Sequence, residues 1–174
     1  AALETMHPKA MDLGLERVSM NLIIPNLPPD APEAIHVSYG EAGEHILCAR
    51  DRAAARRIAF HWYSPLPFCV FNPIAHGLGN KGCAACDGLL HVALTGDVLP
   101  CSSFPLSESV GNILEEDFDA IWFGPRARHY KRKDMAPEAC RDCEHFALCQ
   151  GACTLYWRRM GLAELAERRA SACA

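Results

Sequence analysis

Cys83-Ala-Ala-Cys86, then Gly96-x₄-Cys101, then Cys140-x₂-Cys143-x₅-Cys149-x₃-Cys153, then Cys173: these spacings decide how the chain is read. Eight cysteines so placed are enough for two four-thiolate metal sites. Thiolates are soft, anionic ligands, and four of them suit either Zn²⁺ or a [4Fe–4S] cluster. Zinc ribbons typically use two CxxC pairs at moderate separation. Here an x₅ gap, an x₃ gap and a distant lone cysteine are added, which favours iron–sulfur clusters and leaves a structural zinc domain as the alternative. Gly82, Gly88, Gly96 and Gly151 flank the thiols. At such positions a chain without Cβ can approach inorganic sulfide and donate N–H bonds. The full count of ten cysteines is even, as a disulfide framework would require. The CxxC grouping, the chain length and the lack of a basic-then-apolar leader point instead to a reducing cytoplasm.

Working outward from the thiols, Leu89–Leu94 alternates, turns at Thr95-Gly96-Asp97 and resumes at Val98-Leu99, which predicts a β-hairpin. Residues 117–130 predict a helix interrupted at Gly124-Pro125. Residues 137–153 predict loop and short turns, and residues 154–168 a helix if Gly161 permits. On the N-terminal side, residues 1–16 predict a helix ending near Gly14. Residues 17–24 predict a buried strand, and the proline-rich stretch 25–32 a loop, because proline fixes φ and lacks a donor. Residues 41–59, with Ile46, Leu47, Ala54 and Ile58 among charges, predict an amphipathic helix. Phe60–Tyr63 predicts a short strand that Pro65 and Pro67 end. Helix–strand–loop–helix–strand is the order of a parallel α/β sheet.

Composition is that of a globular domain: 174 residues, 50% hydrophobic, 22% charged, net charge −4. That balance gives no nucleic-acid bias, and no stretch reaches the roughly 18 apolar residues of a membrane span. The basic run Arg126–Lys133 reads first as a solvated helix face and second as a contact for an acidic leader peptide or partner.

The order C-x₉₋₁₅-G-x₄-C, gap, C-x₂-C-x₅-C-x₃-C, gap, C resembles the SPASM domain found at the C-terminus of many radical S-adenosylmethionine enzymes. Twelve residues separate Cys83 from Gly96, inside that window. Phe118, Ile121 and Trp122, after Val110-Gly111-Asn112-Ile113, are similar to the segment joining the halves of such domains. The resemblance covers roughly residues 66–174, and residues 1–65 resemble, more weakly, the end of the preceding barrel. The implied fold class is α/β. The C-terminal strands and helices of a partial TIM barrel (1–65) precede a small cluster-bound α+β SPASM domain with a β-hairpin (66–174). The resemblance implies two auxiliary [4Fe–4S] clusters with interleaved ligands. Auxiliary cluster I takes Cys83, Cys86, Cys101 and Cys153, with Cys86 at the position most variable in the family. Auxiliary cluster II takes Cys140, Cys143, Cys149 and Cys173. It further implies a cytoplasmic enzyme part that modifies a peptide or protein substrate. A standalone electron-transfer or peptide-binding module is the alternative.

One departure is as informative as the match. Radical enzymes hold their catalytic cluster with C-x₃-C-x₂-C, and no triplet here has that spacing; after Cys149-x₃-Cys153, Tyr156 stands where the third thiolate belongs. S-adenosylmethionine and a third cluster are therefore expected only in a longer or partnered enzyme. The start at Ala1 favours a missing N-terminal region over a split enzyme or a lineage that has lost the element. Among the remaining candidates, Cys48 reads as a buried structural thiol. Cys69 reads as a buried thiol too, or as a replacement ligand for cluster I or a substrate-side thiol. His145 reads as a loop histidine near a cluster, and Asp87 as a hydrogen-bonding neighbour or a weak ligand. Asn21 and Asn26 read as loop caps, or as contacts for S-adenosylmethionine beyond a strand end.

Overall fold

The computed structural model describes residues 2–24 and 37–172. The chain opens with α1 (Ala2–Asp12) and β1 (Arg17–Met20). After the undescribed residues come α2 (Tyr39–Ala54) and β2 (Ala59–Trp62). β1 and β2 pair in parallel, Arg17 opposite Ala59 through Met20 opposite Trp62, as the element order predicts. α2 starts two residues before the expected helix because Ser38 caps it. The Ser38 hydroxyl accepts from the Glu41 N–H at 3.2 Å, and the Glu41 carboxylate accepts from the Ser38 N–H at 3.1 Å. Its buried face is Tyr39, Ala42, Gly43, Ile46, Ala49 and Ala53, the i, i+3, i+4 spacing of a helix with one apolar side. Gly43 leaves the space that the Phe71 ring fills. The helix ends five residues before the expected boundary, and Arg57 follows in the left-handed region at φ 58°. The expected loop at 25–32 lies outside the described residues.

The cysteine-rich region is built on a small antiparallel sheet: β3 (His91–Val92), β4 (Asp97–Leu99) and β5 (Gly111–Asn112), in the order β3-β4-β5. The hairpin is the predicted one, turning at Gly96 with φ 84°. β5 was not expected, since two residues carry too little pattern to be read. It is held by the Val110 N–H donating to the Val98 carbonyl at 2.8 Å. A side chain at Gly111 would meet Ile121 at 2.7 Å, so glycine lets α3 (Phe118–Trp122) lie on this sheet. α4 (Pro125–Lys131) follows, the two helices parted at Gly124-Pro125. Two single-turn helices, α5 (Glu138–Arg141) and α6 (Phe146–Cys149), carry the next thiols. The helix expected over 154–168 is two helices, α7 (Thr154–Met160) and α8 (Ala163–Ala172), because Gly161 takes φ 74°.

One apolar cluster joins the two regions. Ile46 of α2 and Trp62 of β2 share it with Val98, Ile121, Tyr156 and Trp157. The mixed helix and strand content with small sheets is compatible with the α/β expectation. No described helix is long and apolar enough to cross a membrane.

α2 is also tied to the chain's far end. The Gly40 N–H donates to Glu164 Oε1 at 2.7 Å, and the Tyr39 N–H to Glu164 Oε2 at 3.3 Å. A carboxylate from α8 thus satisfies amides that a helix start leaves without partners, at the end where the dipole favours negative charge. Tyr156 OH donates to the same carboxylate at 3.0 Å, and the Tyr39 and Tyr156 rings stack at 3.7 Å.

Candidate metal centres

Cys83, Cys86, Cys101 and Cys153 come together although 70 residues of sequence separate the first from the last. Cys86, Cys101 and Cys153 are each within electrostatic reach of Cys83, and Cys101 is within reach of both Cys86 and Cys153. Cys86 is fully buried and Cys153 is 9% exposed. Burial pushes both thiols up to about 11, for Cys86 against the opposing pull of Lys131 and then Lys133. Burial raises Cys101 as well. Amide and hydroxyl donors answer this. The backbone N–H groups of Ser103 and Phe104 and the Ser103 hydroxyl donate to the Cys101 sulfur; those of Tyr156 and Leu155 donate to Cys153. Donors aimed at buried sulfurs favour the thiolate form, the form that binds metal.

The second group is built differently. Cys140, Cys143 and Cys149 line an open cavity of about 350 Å³ with Phe68, Cys69 and His145. The Phe68 N–H approaches the Cys149 sulfur at 3.5 Å. All three of these cysteines are partly exposed. Cys173 lies outside the described residues, and so does Asn26.

The x₃ spacer divides the two groups. Gln150, Gly151 and Ala152 all take left-handed backbone, with φ of 57°, 72° and 61°. Three consecutive residues of this hand reverse the chain, so Cys149 faces the open cavity while Cys153 enters the buried group. For non-glycine residues this backbone costs of order 1–3 kcal/mol each and persists only where the surroundings impose it. The Tyr39 hydroxyl accepts from the Cys153 N–H at 3.3 Å, and the Trp157 indole N–H donates to the Gly151 carbonyl at 2.7 Å. Both contacts brace the turn. Cys86 is likewise left-handed, at φ 52°.

Several sequence expectations change. Cys48 and Cys69 are exposed, not buried. Cys48 lies off the inward stripe of α2, whose neighbouring positions Ile46 and Ala49 face the core. Cys69 lines the cavity of Cys140, Cys143 and Cys149, not the group containing Cys83. Of the glycines, Gly96 serves the hairpin, and Gly82 packs where a Cβ would meet the Gln150 side chain at 2.6 Å. The N–H donors found at the sulfurs come from other residues. Arg126–Lys133 is not uniformly a solvated face, since Lys133 is only 5% exposed. Its Nζ donates to the Cys83 carbonyl at 2.6 Å and to Asp87 Oδ2 at 3.0 Å. Asp87 is thereby an ion-pair partner. His145 is exposed at the cavity wall, and Asn21 is exposed just beyond β1. Sequence reasoning missed Tyr39, Lys133 and Tyr156; no spacing rule flags them, because each acts through a partner more than 40 residues away.

Among the described residues, no group of three or more Cys, His, Asp or Glu side chains is gathered tightly enough to hold a metal ion.

Residues 83–144 match the family model of SPASM, an iron–sulfur cluster-binding domain. The matched stretch contains Cys83, Cys86, Cys101, Cys140 and Cys143 and stops before Cys149. No curated protein matches the chain, and no solved structure does.

Proposed function

We propose that this chain is the C-terminal portion of a radical S-adenosylmethionine enzyme of the SPASM type that modifies a peptide or protein in the cytoplasm. In this reading it holds two auxiliary [4Fe–4S] clusters. The single observation that carries the reading is the assembly of Cys83, Cys86, Cys101 and Cys153 from three separate segments, within and just beyond the stretch that matches a cluster-binding family. Cys140, Cys143 and Cys149 are the ligands of the second cluster, with Cys173 as the fourth that the resemblance implies. The clusters supply one-electron transfer. The chain's own residues hold the iron through thiolates, and N–H groups at Cys101, Cys149 and Cys153 stabilise the sulfur charge. Burial of Cys86 and Cys153 shields the inner side of the first group from water, and the open second cavity leaves room for a peptide segment to approach. The element that cleaves S-adenosylmethionine belongs to an N-terminal region or partner, because C-x₃-C-x₂-C is missing here.

Protein prepared without oxygen should carry about eight iron and eight sulfide per chain. Stoichiometric zinc without sulfide would refute the reading. Incubation with dithionite and S-adenosylmethionine should give no 5′-deoxyadenosine; robust production would reveal a radical site in these residues and overturn the division of labour.

A further inference from the structure

Cys48 and Cys69 are both exposed, yet they stand in different places. Cys48 is on α2, off its buried stripe. Cys69 lies on the wall of the open cavity together with Cys140, Cys143 and Cys149, so four cysteines line one space of about 350 Å³. The segment that carries Cys69 is fixed on both sides. Leu66 and Pro67 are buried, and the Pro67 carbonyl accepts from the Val70 and Phe71 N–H groups at 2.9 Å each. The Phe71 ring fills the space beside Gly43 of α2. Toward the cavity, the Phe68 N–H donates to the Cys149 sulfur at 3.5 Å, and the Leu66 carbonyl lies 4.0 Å from the same sulfur. The turn that presents Cys69 is thus seated directly against a cysteine of the open group.

In a [4Fe–4S] cluster each iron takes its own thiolate, so the four ligands line a cavity instead of meeting at one ion. The wall of this cavity also carries His145 and the Glu144 carboxylate. A soft iron–sulfide centre takes thiolate in preference to carboxylate, and a set of four cysteines is its ordinary complement. Beside Cys140, Cys143 and Cys149, the thiol that the described residues bring to this cavity is Cys69. It comes from a segment that precedes the family-matched stretch 83–144, so the cysteine spacing motif has no position for it.

We propose that Cys69 is a further ligand of the cluster on Cys140, Cys143 and Cys149, able to hold the fourth iron that the resemblance gives to Cys173. The inference rests on the two-cluster reading above. It gives the open site a spare thiol: Cys69 and Cys173 are interchangeable at one iron, and either holds it when the other is absent.

The test uses the full chain, loaded with iron and sulfide without oxygen. Cys173→Ala should keep about eight iron per chain, and loss of about four overturns the proposal. The iron-replete Cys173→Ala protein is then treated briefly with iodoacetamide, and the alkylated cysteines are located by peptide mass mapping. Cys48 should react, and Cys69 should react about tenfold more slowly until the iron is removed, because a thiolate bound to iron is not free to attack. Equal alkylation of Cys48 and Cys69 in iron-replete protein overturns the proposal. Adding Cys69→Ala to Cys173→Ala separates ligation from mere shielding. The double variant should give up the open cluster's iron to a chelator several-fold faster than Cys173→Ala does, with the closed cluster's rate unchanged. Equal rates overturn the proposal. If the double variant fails to fold, the alkylation pattern of Cys173→Ala decides alone. Parent protein lacking iron and sulfide would instead defeat the two-cluster reading itself.

Discussion

The two thiol groups are built on opposite plans. One is closed: Cys86 and Cys153 are buried, the Cys101 and Cys153 sulfurs meet donated N–H groups, and the Lys133 ammonium donates to the Cys83 carbonyl. Its members come from the loop before β3, the loop after β4 and the start of α7. The other is open: three half-exposed cysteines on and beside single-turn helices rim a cavity that also admits Phe68 and His145. The closed group is made by long-range packing, the open one by local spacing. What joins them is the left-handed turn at residues 150–152, which sends adjacent cysteines to different groups.

The largest expected effect tests that division directly. A Cys101→Ala, Cys153→Ala double variant should lose about four of eight iron, no more than either single variant, because both residues serve the closed group. Loss of nearly all iron from a double variant that still folds would mean that Cys153 belongs with Cys140, Cys143 and Cys149, and the comparison would fail.

A second outcome sharpens the contrast in access. A chelator added to the loaded protein should remove iron in two phases of about equal size, the open group's half leaving first. The check is to repeat the time course in Cys101→Ala protein, where only the fast phase should remain. A single phase in the parent protein would mean that burial does not distinguish the groups.

The turn between the groups gives two smaller effects of opposite sign. Gly151→Ala puts a Cβ 3.0 Å from that of Ala136 on backbone at φ 72°, and should destabilise by about 1–3 kcal/mol. Iron loading at both groups should weaken together. Ala152→Gly keeps the left-handed backbone at φ 61° and removes its steric cost, so it should be neutral or stabilising by up to about 1 kcal/mol. Denaturant unfolding of the loaded protein reads both. If Ala152→Gly were as harmful as Gly151→Ala, the turn would not be the strained element described.

Much of this was legible in the cysteine spacing and in local pattern. The hairpin at Gly96, the break at Gly124-Pro125 and the parallel pair around α2 follow from turn chemistry and element order. The grouping of Cys83, Cys86 and Cys101 with Cys153 was reached through resemblance, since spacing alone would equally join Cys153 to its neighbour Cys149. The rest depends on facts that a local window does not hold. Gly151 hints at left-handed backbone, but nothing marks Gln150 and Ala152 as its companions. Lys133 reads as one charge in a basic run, and only the Cys83–Asp87 loop, 46 residues earlier in the chain at its nearer end, draws it inside. Cys48 is exposed because α2 rotates it away from an apolar stripe whose phase Tyr39, not Glu41, begins.

The carboxylate cap on α2 has a consequence for how the molecule is made. Gly40 and Glu164 are 124 positions apart. At ribosomal rates of about 5–20 residues per second, roughly 6 to 25 s pass between the synthesis of the two. Every thiol from Cys83 to Cys153 is polymerised within that interval. The nascent chain therefore presents all four cysteines of the closed group before the latch that closes the fold exists, whereas Cys173 is made after Glu164. Iron and sulfide delivered to the closed group during translation meet a chain without this latch, whereas delivery after release meets one that already carries it.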